Sequence, residues 1–158
     1  MSILKAVIVQ CGNEEYAISV DSIVSIERLE QINPIPHLPD FMLGLMKIRD
    51  ELVPILDFEQ ILYNKSAKNH EEARVVVVQT KELYIGLLVI DAKEIIDIPK
   101  SSLTASGLMA YSKTPYFTSV ANLESRMITV VDPEILSQSV SGMDEIGDYV
   151  ESQTTKEV

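Results

Sequence analysis

The chain has 158 residues, the length of one ordinary domain or of two small ones sharing a core. Its 24 acidic against 13 basic side chains leave a net charge of −11, which repels phosphate backbones and anionic lipid and counts against nucleic-acid binding or direct membrane insertion. A single cysteine excludes an internal disulfide framework and a thiolate metal cage, no apolar run approaches bilayer length, and the first residues lack a signal peptide's basic and apolar regions, so a soluble cytoplasmic protein is expected.

Read in chain order, the apolar runs are short and β-branched: Ala6 to Val9, Tyr16 to Val20, Leu52 to Leu56, Val75 to Val78, Leu83 to Ile90 and Met127 to Val131. Each has strand length and strand composition. Tyr16, Ile18 and Val20 alternate with smaller or polar residues as a half-buried strand does, whereas Val75 to Val78 is continuous and predicts a strand covered on both faces. The prolines of Asn33 to Pro39 predict an extended connection, Asn64 to Glu72 a polar surface connection, and Ser101 to Pro115 a long loop. Two short helices are predicted. Asp57 is placed to cap Phe58 onward, with Gln60 completing a capping box, and Asp132 to cap a helix opened by Pro133. The acids Asp144, Glu145, Asp148, Glu151 and Glu157 face only Lys156 in the C-terminal region, whose last ten residues are expected to fray.

Three echoes recur in the same order. Ala6 to Gln10 followed by Tyr16 resembles Val75 to Gln79 followed by Tyr84. Val20-Asp21 resembles Ile90-Asp91, and Leu52 to Leu62 resembles Met127 to Leu136. The chain therefore reads as two similar halves, about 1–70 and about 71–136, with terminal strands free to cross between them and a flexible acidic tail over 137–158. Each half alone has a thin core, so the two are expected to pack on one another.

Candidate chemistry is sparse. His37 lies among prolines and His70 in the polar connection. Cys11 closes a strand with no basic neighbour to activate it. Asp57 and Asp132 are explained as caps before they are explained as a carboxylate pair, and no phosphate loop or metal-ligand spacing occurs. No cofactor, metal or catalytic residue is expected. What remains is apolar surface on strands, which fits protein binding.

One segment carries a signature. Pro34-Ile35-Pro36-His37-Leu38-Pro39 leads to Gly44, then Lys47-Ile48-Arg49-Asp50, then Leu52-Val53-Pro54-Ile55-Leu56-Asp57. This resembles the CheW-like family of bacterial chemotaxis coupling proteins, whose pattern is a proline-flanked approach, a Gly, Asn-Leu-Arg-Gly, and an apolar strand ending in Asp. Tyr16 to Val20, Gly86 to Asp91 and Arg126 to Asp132 resemble further strands of that family. The resemblance implies an all-β fold of two five-stranded SH3-like barrels about a pseudo-twofold. It implies a non-catalytic adaptor, with the regulatory domain of a CheA-type histidine kinase and the cytoplasmic tips of methyl-accepting chemoreceptors as partners, recruited to receptor arrays at the inner face of the membrane. Carried over by position, Arg49 is the coupling arginine, and Ile23, Ile26 and Val89 are receptor-groove positions. Ser25 stands where many members have an acid, with Glu27 two positions on. Lys47 and Asp50 depart from the family's Asn and Gly, which leaves open an adaptor for another kinase pathway such as pilus-driven motility. A ligand-binding double barrel is the reading from a different class. A CheV-type protein would need a receiver-like alternation of strands and helices after residue 136, which the sequence does not show.

Overall fold

In a computed structural model, residues 2–81, 83–105, 107 and 114–139 are described. The elements among them are β1 (Ile3–Cys11), β2 (Glu14–Ser19), β3 (Ile23–Arg28), β4 (Met42–Ile48), β5 (Glu51–Asp57), α1 (Phe58–Tyr63), β6 (Arg74–Gln79), β7 (Tyr84–Val89), β8 (Asp91–Pro99), β9 (Leu103–Ala105), β10 (Phe117–Leu123), β11 (Arg126–Val131) and α2 (Pro133–Ser139). One sheet runs β8-β1-β2-β11-β10-β9 and the other β3-β6-β7-β5-β4. Within each, one pairing is parallel, β2 with β11 and β7 with β5, and the rest are antiparallel.

The sheets do not divide the chain at residue 70. The hairpin β1–β2 of the first half joins β8–β11 of the second, and the hairpin β6–β7 of the second half joins β3–β5 of the first. The two repeats have exchanged their first hairpins, so each sheet needs both. The equivalence is detailed: β4 and β10 shift register at the same place, after Met42 and after Phe117. The N–H groups of the two capping residues, Asp57 and Asp132, donate to the carbonyls of Phe41 and Tyr116. The tyrosine echo is off by one. Tyr84 pairs with Gln79 as Glu15 pairs with Gln10, so Ile85 takes the place of Tyr16.

Strand period explains the runs. Along β1, Ala6 and Ile8 face the interior of their own sheet, while Val7, Val9 and Cys11 face the other sheet. Along β6, Val75 and Val77 face inward and Val76 and Val78 face across. Both faces are buried, which is why neither run alternates. The cluster between the sheets is the largest of the three among the described residues. Its aromatic seam stacks Tyr16 on Phe117 at 5.6 Å and sets Phe58 edge-on to Tyr16 at 5.8 Å. At about 1.5–3 kcal/mol for each large apolar side chain buried, neither sheet keeps its stability without the other.

Several local expectations are corrected. Gln60 does not close a capping box: its backbone N–H donates to Asp57 Oδ1, but its side chain donates to Asn64 Oδ1. The stretch expected as a long loop from Ser101 contains the short strand β9, the sixth in its sheet. Beyond β9 the stretch is described only at Gly107 and from Thr114 on. α2 continues to Ser139, past the expected domain end at 136; the expected tail beyond it lies outside the described residues. The strand β8 has no clear alternation in sequence because it is an edge strand with much of its length exposed.

A surface ion network ties the sheet ends. Arg126 Nε and Nη2 donate to both oxygens of Glu15, at 3.0 and 2.9 Å, and Nη1 lies 2.7 Å from Glu94. Lys93 also reaches Glu15. The Arg126 guanidinium, with Lys93 behind it, holds the Glu15 carboxyl below its usual pKa. A lowered folded-state pKa stabilises above the unfolded value of about 4.3, and that stabilisation is lost as pH falls through the folded pKa. Glu15→Gln is expected to cost roughly 0.5–1 kcal/mol near neutral pH. The gap from wild type should close as denaturation is repeated between about pH 6 and about pH 3. A gap unchanged across that range would count against the network.

Candidate binding surface

The groups that a catalytic reading would need are otherwise engaged. Cys11 is fully buried, and burial pushes its thiol pKa up to about 12, so it is a packing residue with no thiolate to offer. Asp57 Oδ1 and Oδ2 accept from Gln60 N, Ser66 Oγ and Ala67 N. Asp132 Oδ1 accepts from Glu134 N and Ile135 N. His37 is exposed in the proline-rich connection. His70 is not simply solvated: its Nε2 lies 3.8 Å from the buried Glu59, whose other oxygen accepts from Gly12 N at 3.0 Å. Among the described residues no group of three or more His, Cys, Asp or Glu is arranged to hold a metal ion.

The sequence candidates on β3 divide between its two faces. A register shift between Ile23 and Ser25 marks a bulge at Val24. Ile23 therefore pairs with Val78 and Ile26 with Val76, so both lie on the face that looks toward the other sheet. Without the bulge, a spacing of three would have put them on opposite sides. Ser25 pairs with Val77 and Glu27 with Val75, on the interior face of their own sheet. They share a side with each other, and not with the isoleucines. The Ser25 hydroxyl oxygen is buried without a hydrogen-bond partner among the described residues.

Because β3 is an edge strand, the inter-sheet layer runs out to the surface along it. Ile23 is packed against the core, but Ile26 is 41% exposed, as is the bulged Val24 at 40%. The other sheet repeats this. On its edge strand β8, Ile95 pairs with Val7 as Ile26 pairs with Val76, and Ile95 is 61% exposed. Ile95 is not among the sequence candidates. The signal that finds it is the repeat itself, once the register rather than the tyrosines aligns the halves. Each edge strand thus exposes an isoleucine on its inter-sheet face, and an exposed apolar residue of that kind suits contact with an apolar partner face.

Two further candidates resolve differently. Val89 is fully buried in the inter-sheet core, paired with Arg74 across the ladder, and offers no side chain to a partner. Its expected place at the binding surface is corrected: β7 is a central strand covered on both faces. Arg49 is exposed at the tip of the β4–β5 hairpin, with Asp50 beside it. Both have left-handed backbones, at φ 51° and 67°, as a two-residue turn between Ile48 and Glu51 requires. Asp50 thus takes the conformation for which the family uses Gly. Arg49 makes no ion pair among the described residues, and Lys47 projects from the same hairpin.

Comparison with known proteins adds a consistent set of likenesses. A family model described as the CheW-like domain matches residues 5–141. A protein of Klebsiella aerogenes named chemotaxis protein CheW is 27% identical over 129 residues, covering 81% of this chain and 78% of that protein. A Bacillus subtilis protein of the same name is 20% identical over 145 residues, 91% of this chain and 93% of that one. The crystal structure of the scaffolding protein TtCheW from Thermoanaerobacter tengcongensis superposes with a TM-score of 0.78 at 20% identity, covering 90% of this chain and 92% of that one. That last likeness establishes the fold of two SH3-like units.

Proposed function

The chain belongs to the CheW-like family, and from that membership we propose that it is a non-catalytic chemotaxis scaffold coupling chemoreceptor tips to the regulatory domain of a CheA-type histidine kinase. The observation that supports this most directly is the exposed apolar side chain on the inter-sheet face of each edge strand, Ile26 on β3 and Ile95 on β8. A chemoreceptor tip is a helical hairpin, and an apolar stripe on a helix is what such an exposed apolar edge residue would meet. Arg49, held out on a tight hairpin with its charge unpaired among the described residues, is the candidate contact for coupling. The scaffold acts by holding the kinase where receptor state biases it, which needs no chemistry of its own. Its place is then the inner face of the membrane, at receptor arrays. No described helix is long and apolar enough to cross that membrane.

The test is retention of kinase and receptors from a lysate of the source cells on wild-type protein, with Ile26→Glu and Arg49→Glu in parallel. Ile26→Glu is expected to lower receptor retention at least about 10-fold, because a carboxylate replaces an apolar contact in a desolvated interface. Arg49→Glu should weaken kinase coupling with receptor binding less affected. Both positions are exposed, so both variants should keep the wild-type circular dichroism. Normal retention by folded variants would overturn the site. Capture of a different kinase by the wild type would favour a second pathway, a reading that the Lys47 and Asp50 departures keep in view.

A further inference from the structure

The two edge strands differ in charge at one equivalent place. Two residues past Ile95, Asp97 on β8 pairs across the ladder with Lys5, and their side chains form an ion pair at 4.0 Å. Two residues past Ile26, the matching pair on β3 and β6 is Arg28 with Arg74. One sheet thus neutralises this position within the chain, and in the other an arginine stands where the repeat has the acid. Like charges directly opposite each other repel unless an anion joins them. Neither arginine forms an ion pair among the described residues.

The arginines border an open recess of about 400 Å³, which Lys68 also lines. Arg74 is half-buried, and its Nη1 donates to the Ala73 carbonyl at 2.8 Å, which fixes the plane of the guanidinium before any ligand arrives. His70 forms part of the wall, but its Nε2 is turned toward Glu59. Glu71 and Glu72 also line the recess without pairing with either arginine. Their charges oppose any incoming anion, so a ligand must carry more than one negative charge and reach both guanidiniums at once. A carboxylate has one charge and two oxygens. A phosphate monoester has up to two charges near neutral pH and three free oxygens, enough for two bidentate arginine contacts.

We propose that the Arg28–Arg74 recess binds a dianionic phosphate group, with Lys68 as a third cation. The recess is several times larger than one phosphate, so it also has room for what carries the group, a small free phosphoester or a phosphorylated side chain of another protein. By strand alternation Arg28 lies on the same face as the exposed Ile26, so the carrier of a bound phosphate lies beside an apolar residue. The site stands apart from the adaptor reading, since none of its ligating groups is a residue assigned there.

The experiment follows the backbone amide signals of the full chain at about pH 7.5 while inorganic phosphate replaces chloride at constant ionic strength. Saturable shifts are expected at Arg28, Leu29, Lys68 and Arg74, with a dissociation constant on the order of millimolar, and none at Lys5 or Asp97, whose charges are already matched. Acetate should bind at least about 10-fold more weakly. Arg28→Gln/Arg74→Gln should abolish the saturation, and Glu71→Gln/Glu72→Gln should tighten it about 3-fold or more by removing the opposing charge. Glycerol phosphate and a phosphoserine peptide with flanking apolar residues then separate the two sources. Equal affinity assigns the site to small phosphoesters, and a gain for the peptide that Ile26→Ala removes assigns it to a phosphorylated protein. Absence of saturation up to about 50 mM phosphate would overturn the proposal. So would equal binding of acetate, or shifts that persist in the double arginine variant. Kinase and receptor take no part in these measurements, so the outcome is independent of whether the chain couples them.

Discussion

Asp57→Ala is expected to lower the stability of the protein by about 3 kcal/mol, although its echo Asp132→Ala should cost only about 1 kcal/mol. Both carboxylates cap a short helix at the end of an equivalent strand. A cap alone contributes about 1 kcal/mol. Asp57 does more, because its side chain is fully buried and also accepts from Ser66 Oγ at 2.7 Å and Ala67 N at 3.1 Å, fastening the connection after α1 to the sheet. Ala67 is itself buried, so the truncation orphans a donor in the interior, which costs about 1–3 kcal/mol more. Asp57→Asn keeps one accepting oxygen and should fall between. Thermal unfolding checks this: about 3 kcal/mol corresponds to a drop of roughly 6–12 °C for a chain of this size. Equal losses for the alanine variants at 57 and 132 would show that the buried bonds contribute nothing beyond the cap.

Gly44→Ala is expected to cost a comparable amount, about 2–4 kcal/mol, by a steric route. Gly44 has φ 134°, and an added Cβ would stand 2.3 Å from the Asn33 carbonyl oxygen and 2.9 Å from its carbon. Those are backbone atoms, fixed because Asn33 exchanges two hydrogen bonds with Leu45, at 2.8 and 2.9 Å. To admit the methyl group, that bridge must open or β4 must shift at its bulge. The backbone strain costs about 1 kcal/mol and the overpacking about 1–3 more. Urea denaturation should show a lower midpoint with the slope preserved. A variant as stable as wild type would mean that the connection over residues 29–41 yields freely, and that Gly44 is a matter of sequence history alone.

Much of the fold is legible because its signals are local. Runs of β-branched residues are strands wherever they are placed, since side-chain sterics near the backbone favour extension. Asp57 and Asp132 are readable as caps because a short carboxylate reaches only its own next few N–H groups. The two-sided burial of Val75 to Val78 follows from having no polar alternation to expose. The binding surface is less legible. Ile23 and Ile26 stand on one face only because Val24 bulges, and no local pattern in Ile-Val-Ser-Ile marks a bulge. Val89 and Ile95 are both apolar and β-branched, yet one is in a central strand and fully buried while the other is on an edge and 61% exposed. Arg49 stands out from the spacing of a motif, while its left-handed backbone is visible only in the turn that it occupies.

By itself, then, the sequence determined that this is an all-β chain of two related halves, with capped helical turns and a hairpin carrying Arg49. Only the tertiary structure decided that the halves exchange their first hairpins, that one capping carboxylate is buried and its twin is not, and which apolar residues reach the surface. The physical reason is the range of the forces involved. Propensity and capping act within a few residues and leave their mark in the string of letters. Burial depends on which strand lies alongside, and a single inserted residue turns every side chain after it to the other face.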